Sequence, residues 1–144
     1  MGDLNLKDTK FSVTLDAKLE NQEIVIQFID NLLENSGCII KAKLQIDVAI
    51  DELFSNVAYY AYAPDTGKVT VDYEFDGAMA TIRFTDSGVP YNPMEKPDPD
   101  VTLPAEERGI GGLGIFLVKK SMDEMFYEFK DGQNILTIRK RILP

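Results

Sequence analysis

The chain has 144 residues, of which 44% are hydrophobic, and a formal net charge of −9. A chain of this size can bury a sizeable single core, while its acidity argues against direct nucleic-acid binding, which usually leaves a basic surface. The sequence contains no histidine and one cysteine, which excludes a Ser-His-Asp triad, a histidine-ligated or four-cysteine zinc site, autophosphorylation on histidine and an internal disulfide.

The expected cellular compartment and number of domains rest on features that the sequence does not show. No apolar run approaches the roughly 18 residues of a membrane helix, so we expect no membrane partner. The N-terminal residues lack the apolar segment of a signal peptide, and the lone Cys38 suits a reducing compartment. We therefore expect a cytoplasmic protein, and a single domain over residues 1–144, since neither a repeat nor a linker is visible.

One strand and two helices are predicted in the first part of the chain. Apolar residues alternate over 11–15, which predicts a strand, and recur at helical spacing over 18–36 and again over 41–62. In the second helix Glu52 and Asn56 are four residues apart and therefore lie side by side, at the margin of the apolar stripe. In isolation such a pair is more typical of an ordinary helix with polar borders.

Next comes a hairpin that ends in a short polar segment. Two alternating runs, residues 69–75 and 80–85, flank an Asp-Gly pair that is typical of a tight turn. Asp86 then stands at the strand end, where a carboxylate can accept a hydrogen bond from an exocyclic amine. Gly88 leaves room there for a flat ring. The alternative interpretation is a strand followed by a common Asp-Ser-Gly turn.

The following segment is proline-rich and leads into a glycine cluster. Five prolines lie within residues 90–107, which discourages regular structure, and the position favours a lid at 90–111 over a disordered loop. Residues 108–118 then read Arg-Gly-Ile-Gly-Gly-Leu-Gly-Ile-Phe-Leu-Val. Glycines let backbone N–H groups approach a phosphate, and the N-terminus of the helix that follows adds a favourable dipole. Alone, such a run also fits a plain loop or a packing site.

A second hairpin ends the chain and completes the predicted fold. Residues 125–130 and 136–141 flank another Asp-Gly pair. Five strands and about three helices, joined by hairpins rather than by strict βαβ units, indicate an α+β two-layer sandwich. We expect a mixed, mostly antiparallel five-stranded sheet with the helices on one face.

The order of the three polar motifs carries a resemblance that no single motif does. Glu52 with Asn56, Asp86 with Gly88, and the glycine cluster resemble the N, G1 and G2 boxes of the GHKL ATPase superfamily. The short chain and the sequence over 112–118 are most similar to anti-sigma factor serine kinases. The resemblance implies the histidine-kinase-like ATPase fold, ATP and Mg²⁺ as cofactors, and an ATP lid over the phosphates.

The resemblance also implies a role for each site residue. Glu52 would be the general base, Asn56 would ligate Mg²⁺ through its carbonyl oxygen, and Asp86 would bind the adenine amine beside Gly88. Arg108 would meet the γ-phosphate, although a solvated surface arginine is an equally good interpretation. The phosphates would be wrapped by the backbone of Gly109, Gly111, Gly112, Leu113 and Gly114.

The implied partners are proteins. The acceptor would be a serine of an anti-anti-sigma protein of the STAS type, which competes with a sigma factor for a homodimer of this chain. Two alternatives stay open: a nucleotide-gated binding module without phosphotransfer, and an ATPase subunit of a larger machine. Retention of both Glu52 and Asn56 favours the kinase.

The chain departs from the family pattern at two places. Where many relatives carry a histidine this chain has Tyr60, which we interpret as a residue packed harmlessly within the apolar arc of the helix. The threonine that some relatives place near adenine has no clear counterpart in residues 134–137.

Overall fold

A five-stranded sheet forms one layer of the computed structural model, which describes residues 9–95 and 113–144. The strands are β1 (Thr9–Asp16), β2 (Lys68–Phe75), β3 (Met79–Asp86), β4 (Glu124–Lys130) and β5 (Gln133–Arg141). Their order is β1-β2-β3-β5-β4, and every pairing is antiparallel. The predicted α+β sandwich is confirmed, and the sheet is antiparallel throughout its described strands.

Three α-helices of the described residues form the second layer. They are α1 (Gln22–Asn35), α2 (Ile40–Asn56) and α3 (Leu113–Ser121). Each buries an apolar stripe, because residues three and four apart share one face of a helix. Ile29 of α1 and Ile46 and Ile50 of α2 are fully buried in the core between the layers. None of the helices in the described part of the chain is long and apolar enough to cross a bilayer.

The alternation of β3 places a carboxylate on the inner side of the sheet. Buried residues occupy every second position of this strand, beginning with Ala80 and continuing through Ile82 and Phe84. The next inward position is Asp86, so a polar group ends an otherwise apolar row. The pleat of the strand thereby puts this carboxylate next to the core, with 6% of the residue exposed.

Several element boundaries differ from the sequence expectations, and two of them lie beside Asp86. The α-helix predicted to run to about residue 62 ends at Asn56 and continues as a π-helical turn, Val57–Ala61. β5 begins at Gln133 rather than near Leu136, after a turn in which Asp131 and Gly132 have positive φ values of 54° and 76°. This earlier start brings Asn134 into register with Asp86 on the neighbouring strand.

Candidate functional site

A narrow cleft opens where the end of α2 meets the end of β3, the middle of β4 and the start of β5. Its lining residues are Leu53, Asn56, Val57, Tyr60, Ala61, Phe84, Asp86, Val89, Tyr91, Pro93, Tyr127, Asn134 and Leu136. The cavity measures about 30 Å³, which is room for one or two water molecules, so a purine requires the walls to part. A larger concavity of about 530 Å³ lies on the other face of the sheet and contains none of the predicted site residues.

Asp86 is held by two donors on one oxygen. Its Oδ1 accepts the backbone N–H of Gly88 at 2.8 Å and the side-chain amide of Asn134 at 2.9 Å. Both hydrogen bonds that the described residues give this carboxylate therefore converge on Oδ1. That arrangement leaves Oδ2 as the acceptor for a ligand in the cleft, which suits an exocyclic amine.

Packing of the protein itself requires a glycine at position 88, in addition to the predicted room for a ring. A Cβ at this position would overlap the backbone of Ala61, in the π-helical turn. The adjacent Val89 N–H donates to the Ala61 carbonyl at 2.8 Å. The segment after β3 is thus joined directly to the end of α2, and this approach of two backbones requires a residue without a side chain.

Asn56 is the last residue of α2, and its side chain lines the cleft. Its amide nitrogen is buried and has no hydrogen-bond partner among the described residues. The carboxamide therefore has bonding capacity that the described protein does not use, which is an observation consistent with a ligand contact. Its oxygen is a hard ligand, and Mg²⁺ commonly takes one or two protein ligands with waters and phosphate oxygens. The described residues contain no cluster of three or more His, Cys, Asp or Glu side chains that offers a cation a separate site.

Glu52 lies one turn before Asn56 and faces the start of α3 rather than the cleft. A Cβ on Gly114 would overlap the Glu52 carboxylate, so the carboxylate packs directly against the first turn of α3. Burial raises the pKa of Glu52, and the charge of the neighbouring Asp51 raises it further. A carboxylate with a raised pKa takes up a proton more readily, as a general base must.

Only part of the predicted phosphate-binding cluster falls on described residues. Arg108, Gly109, Gly111 and Gly112 lie outside them, as does most of the proposed lid at 90–111. Leu113 begins α3, and Gly114 occupies its first turn. The structure therefore brings Asn56 and Asp86 into one cleft and places Glu52 against Gly114. It leaves the individual phosphate contacts as predictions.

The interpretation of Tyr60 as a packed residue is wrong. Its side chain is 52% exposed, and its ring centroid lies 5.6 Å from that of Tyr91, with both rings lining the cleft. The reason is the π-helical turn, whose i→i+5 hydrogen bonding shifts the residue away from the direction that a continuous α-helix gives.

Two further residues of the cleft were not identified from the sequence. Asn134 is buried, with 6% exposed, and its side chain contacts Asp86; Tyr127 of β4 donates its hydroxyl to the Asn134 carboxamide oxygen. Burial raises the pKa of the Tyr127 hydroxyl. The sequence feature that could have identified Asn134 is the second Asp-Gly turn. β5 begins directly after this turn, at Gln133, and Asn134 then pairs with Asp86.

Known proteins are similar to this chain over most of its length. The chain is 25% identical over 134 residues to a serine-protein kinase RsbW of Bacillus mycoides, covering 90% of this chain and 84% of that protein. It is 25% identical over 132 residues to a serine-protein kinase RsbW of Listeria monocytogenes, covering 88% and 84%.

A solved structure extends the likeness to the fold. The crystal structure of the RsbU and RsbW domains of a Mycobacterium tuberculosis protein superposes with a TM-score of 0.67 at 18% identity. The match covers 94% of this chain and 33% of that chain. Residues 15–140 match the family described as the histidine kinase-like ATPase domain, and the chain belongs to that family.

Proposed function

We propose that this protein is an ATP-dependent serine protein kinase of the anti-sigma-factor type, with a serine of an anti-anti-sigma protein as its acceptor. The observation that carries the proposal is the placement of three polar groups around one end of α2. Asn56 and Asp86 line the same cleft, and the Glu52 carboxylate lies against the first turn of α3. The names of the relatives, serine-protein kinases, support the same activity.

The cleft and the neighbouring start of α3 together offer a place for each part of ATP. Oδ2 of Asp86 would accept a hydrogen bond from the adenine amine, while Asn56 would hold Mg²⁺ through its carboxamide oxygen. The N-terminal turn of α3 faces the phosphates, since the exposed N–H groups and dipole of a helix start favour an anion. When bound, Mg²⁺ neutralises charge on the phosphate oxygens.

Glu52 is the proposed general base for transfer. The acceptor serine oxygen forms a bond to the γ-phosphorus, the bond between that phosphorus and the β–γ bridging oxygen breaks, and the serine proton passes to Glu52. ADP leaves with the bridging oxygen. Because phosphoryl transfer depends mainly on positioning and charge neutralisation, the base contributes a part of the acceleration, roughly 10²–10⁴-fold.

The proposed partners are an anti-anti-sigma protein of the STAS type and a sigma factor, which meet a homodimer of this chain. They follow from the family resemblance, and the phosphorylation state of the acceptor would decide which partner is bound. A cytoplasmic location belongs to the same proposal.

The test follows γ-labelled ATP and Mg²⁺ incubated with this protein and lysate of its own host. We expect an acid-stable labelled band, typical of phosphoserine, with the wild type and with Glu34→Gln, a control that removes an exposed carboxylate from α1. Glu52→Ala should reduce labelling by about two orders of magnitude or more while retaining ATP binding. ATP binding without label in the wild type would favour the nucleotide-gated binding module, and unchanged labelling by Glu52→Ala would remove Glu52 as the base.

A further inference from the structure

The side chain of Asn134 joins four separate parts of the cleft wall. Its Nδ2 donates to Asp86 Oδ1 at 2.9 Å and to the Val89 carbonyl at 2.8 Å. Its Oδ1 accepts the Tyr91 backbone N–H at 3.1 Å and the Tyr127 hydroxyl. The Asn134 network, comprising these five residues, therefore connects β3, the segment after β3, β4 and β5.

The chemistry of the neighbours fixes which way the carboxamide points. The Asp86 carboxylate and the Val89 carbonyl are acceptors, so they face the amide nitrogen. The Tyr91 N–H is a donor, so it faces the amide oxygen. In a flipped amide the Asn134 oxygen would face the Asp86 carboxylate and the Val89 carbonyl, which are both acceptors. Because Asn134 is buried, water could not readily replace the lost hydrogen bonds. Asn134 consequently has a single orientation and holds Asp86 in a single orientation.

We propose that Asn134 is the residue that sets base specificity in this cleft, by occupying Asp86 Oδ1 so that Oδ2 faces the ligand only as a hydrogen-bond acceptor. Such an acceptor pairs with the 6-amino group of adenine and repels the 6-oxo group of hypoxanthine or guanine. Asn134 itself is a positioning residue, since it acts through Asp86. The inference rests on the proposed function, because it requires that the cleft binds a purine nucleotide.

Exchange of Asn134 for Asp tests this at nearly constant shape. Among the described residues, the titratable side chains that line the cleft around the new carboxyl are Asp86 on β3, Tyr127 on β4, Tyr60 on the π-helical turn and Tyr91 after β3. The charge of Glu95, also after β3, acts on Tyr127. When one carboxyl of the Asp86 pair is protonated, its O–H can replace the amide donor. When both ionise at higher pH, they repel each other and displace Asp86.

The measured quantities are the dissociation constants of ATP and inosine triphosphate over pH 6–9. The two nucleotides differ at purine C6 and in the proton that hypoxanthine carries on the adjacent N1. For the wild type we expect ATP to bind at least about a hundredfold more tightly, since a site built for a hydrogen bond rejects the analogue that lacks it. For Asn134→Asp we expect ATP affinity to fall by roughly ten- to a hundredfold as the pH rises, with little change for inosine triphosphate. A merely structural role would weaken both nucleotides alike.

Gln133→Glu is the matched control, because it adds the same charge at the preceding position, whose side chain points to the opposite face of β5. A second variant, Tyr127→Phe, removes one donor to the Asn134 oxygen and should lower the selectivity a few-fold, against no change for the exposed Tyr59→Phe. If Asn134→Asp and Tyr127→Phe both kept the wild-type preference for ATP over inosine triphosphate, the role of Asn134 would be overturned and the proposed function would stand. Absence of any nucleotide binding by the wild type would overturn the proposed function together with it.

Discussion

At the scale of single residues, the contact between Glu52 and Gly114 connects the proposed base to the proposed phosphate-binding helix. The carboxylate occupies the space that a Cβ on residue 114 would take. Glycine at this position therefore serves a packing role in addition to any contact with phosphate. The two roles can be separated, because the overlap depends on Glu52 while a backbone contact with phosphate does not.

Gly114→Ala should destabilise the protein by about 1–3 kcal/mol, the usual range for inserting a methylene into a packed site, because either the Glu52 side chain or α3 must shift. The same change in a Glu52→Ala background should be nearly neutral, since the overlapping carboxylate is gone. Chemical denaturation of the four proteins of this double-mutant cycle measures the coupling. Equal losses in both backgrounds would show that the Gly114 requirement is independent of Glu52.

At the scale of elements, α1 and α2 share a cluster of charges. Lys43 lies 3.4 Å from Asp30 and 3.5 Å from Asp47, and each aspartate has a second oxygen that is buried and without a partner among the described residues. Burial, together with the neighbouring Asp30, raises the pKa of Asp47 to about 7. Asp47 thus takes up a proton between these helices at mildly acidic pH.

This cluster makes stability depend on pH in a defined direction. The folded state binds the Asp47 proton more tightly than the unfolded state, whose pKa is near 3.8, so the stabilisation is complete below that value and is lost as the pH rises through about 7. Asp47→Asn removes the titration. It should raise the melting temperature at pH 8 by about 2–4 °C, on the order of 1 kcal/mol after allowance for solvent screening, and by less at pH 5.

Thermal unfolding at the two pH values measures this difference, with Asp51→Asn as a control on the exposed face of the same helix. The control should show no such pH-dependent gain. An equal effect of Asp47→Asn at both pH values, or a loss of stability at pH 8, would contradict the assignment.

Sequence periodicity was sufficient for the elements but not for their ends. Alternation and helical spacing are local, so all five strands and the three helices were predicted. The π-helical turn Val57–Ala61 and the start of β5 at Gln133 depend instead on contacts between distant segments. The hydrogen bond from the Val89 N–H to the Ala61 carbonyl and the pairing of Asp86 with Asn134 are such contacts. A local sequence pattern does not predict them.

The same distinction explains what could be predicted of the site. Glu52, Asn56 and Asp86 were identified because their spacing matches a family pattern, and the structure places the last two in one cleft. Asn134 was not identified, because its importance comes from four partners that are remote in sequence or on other strands. Tyr60 was misplaced because the helix was assumed to be regular beyond Asn56.

At the scale of the whole molecule, the cleft lies at one end of the interface between the helical layer and the sheet. Residues from α2, β3, β4 and β5 meet there, so the site exists only when the full fold is formed. The apolar wall around a few polar groups is the usual composition of a small-molecule site. The central claim is that this cleft binds ATP with Mg²⁺ through Asp86.

Calorimetric titration of ATP in the presence of Mg²⁺ tests that claim most directly, with the isosteric Asp86→Asn beside the wild type and the exposed Asp65→Asn as a control. We predict a single site in the wild type and in the control, and a loss of roughly ten- to a hundredfold in affinity for Asp86→Asn, because the amide cannot replace a charged acceptor. Absence of binding by the wild type, or equal affinity of a folded Asp86→Asn variant, would contradict it.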